Sequence, residues 1–302
     1  MHDVVLIPTF RRPEYLTLCL EHIVAAMPQA DGWKQVIVTH DQHGMYPDSV
    51  EPTRRVVQSF QEKMQIEFSV RLPHNHYGNS FNCLELYKQG LACTGARYIY
   101  LIEDDVLIAP DFFAWHEAVQ ERGDYFATVG WNCFRNPAFQ RSNDPNAYIE
   151  TNKDYASIGV CWRPENLKTF VAHATPAYFA NSAAYLERTF PKSQYGAGWT
   201  EQDGIITRML EETNDRVVAW PSRSRCFHVG VSGYHRTAGY QFKGQNAGRN
   251  LEECVAELRA ALVSNRIKSL ACDPFCDIEY SVEETPTWRT EDLYVAQRLG
   301  QI

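Results

Sequence analysis

Tyr98-Ile99-Tyr100-Leu101-Ile102-Glu103-Asp104-Asp105-Val106-Leu107-Ile108-Ala109-Pro110-Asp111-Phe112-Phe113 decides the fold, because a five-residue apolar run discharges there into three consecutive carboxylates. Tyr98 to Ile102 has the composition of a buried strand. Three acids at the tip of such a strand repel one another in any partly desolvated crevice, so they call for a divalent cation, a cationic partner or full hydration. Oxygen-only ligands suit Mg²⁺ or Mn²⁺, which keep waters and bridge one or two carboxylates to substrate phosphates. An acidic, solvated turn is the competing reading of the tripeptide taken alone. Its position after a buried strand, with Ala109-Pro110-Asp111 opening a helix from Phe112 to about Gln120, favours the metal-diphosphate reading.

Upstream, the chain alternates strands and helices in the manner of a mainly parallel sheet. Strands are expected at Val4–Pro8, Val36–Thr39 and Ile66–Leu72, with helices at 13–26, 52–63 and 79–91. Ligands of open α/β sheets bind beyond the carboxyl ends of the strands, where Thr9 to Arg12, Asp41 and Glu103 to Asp105 all fall. Downstream we expect a strand at 125–130, a long Asn/Pro-rich loop at 131–154, and helices at 167–174, 178–189 and 204–212. A strand at 217–220, a helix at 251–262 and an acidic irregular tail complete the pattern.

The 302 residues suffice for one large α/β domain or two smaller ones sharing a cleft. We expect residues 1–110 and 111–245 to form two halves of one domain, and 246–302 a C-terminal helix and tail. A net charge of −8 argues against a broad nucleic-acid-binding face, yet Arg216 to Arg249 holds six basic residues and no acid, the pattern of a local anion site. Nine scattered cysteines without paired CxxC spacing fit neither a zinc site nor a disulfide framework, and reduced thiols are the simpler account. No apolar run approaches about 20 residues, so a cytoplasmic protein without a membrane anchor is expected.

Three further segments carry chemistry. Pro8-Thr9-Phe10-Arg11-Arg12-Pro13, between first strand and first helix, offers backbone amides and two guanidinium groups to a nucleotide. Trp199-Thr200-Glu201-Gln202-Asp203 places two carboxylates beside a Gly-rich approach, where one can act as general base toward an acceptor hydroxyl. In Arg225 to His235, His228 is a candidate ligand for the same divalent ion, and the glycine loop with Ser232 and His235 can approach a diphosphate.

In this order the segments resemble a GT-A nucleotide-sugar glycosyltransferase. The Glu-Asp-Asp block with its trailing Pro110-Asp111-Phe112-Phe113 is similar to the metal-binding segment of N-acetylglucosaminyltransferase I-like and family 2-like enzymes. The resemblance extends through Ile158-Gly159-Val160-Cys161-Trp162 and Gly230-Val231-Ser232-Gly233, over about residues 3 to 240. It implies that Asp105 coordinates Mn²⁺ or Mg²⁺, that Asp104 faces the ribose of a UDP-sugar, Glu103 the donor sugar and Asp41 the uracil, and that Trp162 lies on the donor side. Asp203, or failing it Glu201, becomes the base of an inverting displacement. Glu201-Gln202-Asp203 replaces the adjacent acids of the family, no stem or anchor like those of the Golgi enzymes is expected, and the resemblance implies a nucleotide-sugar-binding half at 1–110 and an acceptor-binding and catalytic half at 111–245. A saccharide acceptor is favoured, with a hydroxylated base in DNA as another possibility. Two other readings compete. One is a sugar nucleotidyltransferase, against which the glycine-free Pro8 to Pro13 segment argues, and the other is a non-catalytic nucleotide- or glycan-binding module.

Overall fold

A computed structural model of the chain describes residues 2–30, 32–42, 50–71, 78–131, 148–152, 155–196, 200–213, 215–221 and 224–228. Ten strands and eight α-helices fall within them. In chain order they are β1 (His2–Thr9), α1 (Pro13–Ala26), β2 (Trp33–Asp41), α2 (Val50–Phe60), β3 (Ile66–Arg71), α3 (Gly78–Ala92), β4 (Ala96–Leu101), β5 (Val106–Ile108), α4 (Phe112–Arg122) and β6 (Ala127–Val129). There follow β7 (Tyr148–Thr151), β8 (Val160–Trp162), α5 (Pro164–Val171), α6 (Pro176–Ala180), α7 (Ser182–Thr189), α8 (Gln202–Thr213), β9 (Val218–Pro221) and β10 (Cys226–His228).

Eight strands form one sheet in the order β3-β2-β1-β4-β8-β6-β9-β7. β3, β2, β1 and β4 run parallel, while β8 and β7 are antiparallel to their neighbours. The mainly parallel, helix-flanked α/β architecture expected from the sequence is therefore present. Its reason is visible in β1, whose apolar run is buried on both faces, as strands between two helical layers are. Val4 and Leu6 pack with Leu84 and Tyr87 of α3, Phe170 of α5 and Ile205 of α8. The alternating Val5 and Ile7 pack instead with Leu16, Leu20 and Ile23 of α1 and Val57 and Phe60 of α2.

At the amino ends of the central strands lies a buried ion network. Lys34 Nζ donates to Asp3 at 2.6 Å and to Glu117 of α4 at 2.7 Å, and Arg97 reaches both acids from β4 at 3.2 and 3.3 Å. Two cations against two principal acids close this end of the sheet electrically, as buried charges require.

Local expectations were met unevenly. β2 is twice the expected length, and the expected long loop after Trp131 contains β7, paired antiparallel with β9. The helix expected over 178–189 is two helices broken at Asn181, whose side chain accepts the Ala184 N–H and caps α7. Asp111 stands at the N-cap of α4 without a side-chain capping bond, and its carboxylate faces Arg225 at 3.5 Å instead. The expected helix at 251–262 and the acidic tail lie outside the described residues. Among the described residues no two cysteines form a disulfide with each other, and no helix is long and apolar enough to cross a membrane.

Candidate functional site

The three acids sit on a tight turn at the carboxyl end of β4, closed by the Val106 N–H donating to the Glu103 carbonyl at 2.9 Å. β5 leaves that turn and pairs antiparallel with β10, which sets the main chain of His228 opposite Val106, the residue after Asp105. The ribbon thus brings the histidine segment beside the last acid. Ser232 and His235 lie outside the described residues.

The nearest cation comes from the β1–α1 connection. The Arg12 guanidinium forks across the turn, one nitrogen on Asp104 Oδ1 and the other on Asp105 Oδ2 at 2.5 Å. Thr9 Oγ1 donates to the remaining oxygen of Asp104 at 2.6 Å. Arg11 makes the geometry possible. Its φ of 56° lies in the left-handed region, which costs a non-glycine residue about 1–2 kcal/mol, and such strain gathers at functional sites. Pro8 is buried in β1, beyond the last residue paired with β4, where its missing N–H leaves no gap in that ladder. Of the donor-side residues expected in this segment, Thr9 and Arg12 therefore support the acids directly, and Arg11 remains exposed.

Three carboxylates against one guanidinium leave the turn short of positive charge. Burial, then Asp105, pushes the Glu103 carboxyl up to about 8 despite Arg12. Burial also raises Asp104, to about 6, against the pull of Arg12 and the Thr9 hydroxyl. For Arg12, burial lowers the pKa, and Asp104, Asp105 and Glu103 together outweigh it, so that the guanidinium is held charged.

The candidate base belongs to the same field. Asp203, in the first turn of α8, acts electrostatically on Glu103. Cys83 of α3 is buried among Glu103, Asp203, Arg71 and Glu201, and its thiol is raised first by burial and then by those acids. Burial pushes Asp203 up to about 6, with Glu201 adding to the shift and Ser157 opposing it. Glu201 is exposed, and its carbonyl accepts the Gly204 N–H at the start of α8. Trp199 is outside the described residues.

Asp41 closes β2 in register with Arg71 at the end of β3, and the two attract. Arg71 also donates to the carbonyl and side-chain oxygen of Asn82 at 2.8 and 2.7 Å, tying the start of α3 to the carboxyl end of β3. Arg71 and Ser157 were not singled out from the sequence. Arg71 had a usable signal, because it stands at the carboxyl end of a parallel strand like the polar tips that were chosen.

One residue is corrected. Trp162 has no accessible surface. Its ring stacks on Phe170, meets Phe126 edge-on, and donates its indole N–H to the Tyr87 hydroxyl at 3.3 Å. A side chain enclosed in the core has no face to offer a donor. The basic run also thins out, because Arg225 is buried against Asp111 and Arg216 lies over the ring of Phe126.

Oxygen donors of this hardness fit Mg²⁺ or Mn²⁺. Among the described residues no cluster of three or more His, Cys, Asp or Glu is arranged to hold an ion alone. An ion shared between one or two carboxylates and substrate phosphates needs no such cluster, and the charge deficit of the turn suits one.

No family model matches the chain, and no curated protein is similar to it in sequence. Among solved structures, residues 1–349 of S. aureus TarS align with 80% of this chain and 62% of their own at 12% identity and a TM-score of 0.47. The same protein in complex with UDP-GlcNAc aligns at 15% identity and 0.49, over 78% of this chain and 60% of that one. The galactosyltransferase LgtC, in complex with donor and acceptor sugar analogues, aligns at 15% identity and 0.43 over 99% and 96%. This chain thus spans about six-tenths of the TarS piece. Likeness of this degree says nothing of donor, acceptor or chemistry, and the α/β architecture rests on the strands and helices themselves.

Proposed function

We propose that the chain is a metal-dependent, inverting glycosyltransferase that moves a hexosyl or N-acetylhexosaminyl group from a UDP-sugar to a hydroxyl of a saccharide acceptor. The supporting observation is the convergence at one end of the sheet of a buried acid turn deficient in positive charge and, within its electrostatic reach, a second carboxylate on a different element. That is the division expected of donor handling and acceptor activation.

In this reading Asp105 and His228 would hold Mn²⁺ or Mg²⁺, which would supply positive charge for the leaving diphosphate. Arg12 keeps Asp104 and Asp105 together, and Thr9 takes the remaining oxygen of Asp104, which is fully buried and so braces the turn instead of facing the ribose as expected. Asp41 faces the base of the nucleotide. Asp203 accepts the proton of the attacking acceptor hydroxyl, and its raised pKa makes it a stronger base than an ordinary aspartate while leaving it mostly ionised at neutral pH. A hydroxylated base in DNA fits less well, since two cations of the basic run are committed internally.

The test is incubation with Mn²⁺ and a panel of UDP-sugars and saccharides. UDP release that disappears with EDTA and in Asp105→Ala is the expected result. Undiminished transfer in EDTA sinks the metal assignment, pyrophosphate chemistry indicates a nucleotidyltransferase, and binding without turnover indicates a non-catalytic module.

A further inference from the structure

Ser157 stands just before β8 and is nearly inaccessible, at 3% exposure. Its hydroxyl donates to Asp203 Oδ1, a short contact across 46 positions of sequence, and its backbone amide acts on the same carboxylate. The loop that carries it is pinned from several sides. Gly159, two residues on, has a φ of 59°, and its carbonyl accepts the Gly130 N–H at 2.6 Å. A Cβ there would sit 2.7 Å from Cys226 Sγ, on the strand that flanks the acid turn. β8 then pairs with β4, Val160 against Leu101, two residues before Glu103. One rigid segment therefore connects the donor acids to the candidate base.

We propose that Ser157 is the positioning residue of the base, holding the Asp203 carboxylate ionised and fixed relative to the acid turn. The inference rests on Asp203 being the base, as proposed above. The groups that act on Asp203 or feel it come from each packed element: Glu201 from the residue preceding its helix, Glu103 from the β4 turn, Cys83 and Tyr87 from α3, and Tyr155 from the loop of Ser157. Burial and Glu201 oppose ionisation, and Ser157 favours it. A hydrogen bond to a charged carboxylate strengthens as the charge forms, so Ser157 acts through Asp203 without touching the acceptor.

The experiment uses the full chain with Mn²⁺ and measures UDP release from UDP-GlcNAc and UDP-galactose against pH, with water as acceptor. In parallel, a carbon NMR titration of the aspartate carboxyls identifies the Asp203 signal by its loss in Asp203→Asn. Ser157→Ala is expected to move the Asp203 titration and the acid limb of kcat/KM upward together by roughly 1–2 pH units. Ser157→Thr, which keeps the hydroxyl, restores both. Ser157→Gly repeats the measurement if the alanine variant does not fold. An unmoved Asp203 titration in Ser157→Ala or Ser157→Gly overturns the inference even where Asp203→Asn is inactive. Wild-type UDP release by Asp203→Asn overturns the base reading itself.

Discussion

Replacing Arg12 by Met removes the guanidinium that spans Asp104 and Asp105 while keeping most of the apolar stem. The Arg12 side chain is 17% exposed and that of Asp104 fully buried, so the acids gain little water in exchange. Removing one partner of a buried ion pair costs about 3–5 kcal/mol, and we expect that loss at pH 8 in EDTA. The pH dependence follows from the raised carboxyls. A carboxyl whose pKa is higher folded than unfolded binds more protons in the folded state, so its effect is to lower stability as pH rises from the ordinary carboxylate value to the folded one. For Glu103 that window ends near 8 and for Asp104 near 6. At pH 5 both are largely protonated in the folded protein, so less charge is stranded by the substitution and the loss there should be smaller than at pH 8. Urea denaturation midpoints of wild type and Arg12→Met at pH 5 and pH 8 measure the difference, and millimolar Mn²⁺ should restore part of the loss at pH 8. A loss equal at the two pH values, or larger at pH 5, refutes the charge account of the turn.

Gly159→Ala should cost at least about 2 kcal/mol in the same assay, from a left-handed φ and a Cβ pressed on Cys226, and Cys226→Ala in that background should return part of it. Lys34→Met should cost about 3–5 kcal/mol by leaving Asp3 and Glu117 to Arg97 alone, with the metal dependence of UDP release unchanged. A Lys34→Met midpoint within about 0.5 kcal/mol of wild type would show that Arg97 suffices.

The strand-to-acid junction at Tyr98–Asp105 was legible because hydropathy and charge change there within one residue, and the periodicity of α1, α2 and α3 places them within a few residues. Contacts were not legible. Arg12 read as a nucleotide ligand because nothing local ties it to acids more than ninety residues away. Trp162 read as a donor contact because its motif position is silent about Phe126, Phe170 and Tyr87 closing around it. Ser157 carried no signal, since a serine before a turn is ordinary until α8 delivers a carboxylate to it. β7 was hidden because a four-residue strand in an Asn/Pro-rich stretch has too few residues to show alternation.

The ribbon of β5 and β10 has a consequence for the order in which the molecule is made. β1, β2, β4, Arg12 and the acid turn are all contained in the first hundred or so residues, and can associate while the rest of the chain is still being synthesised. The partner that clamps Val106 arrives only with His228, more than a hundred residues later. The acid turn is thus completed late, by a long-range pairing of high loop-closure cost, and a nascent chain stalled before residue 226 would carry the acids without their clamp.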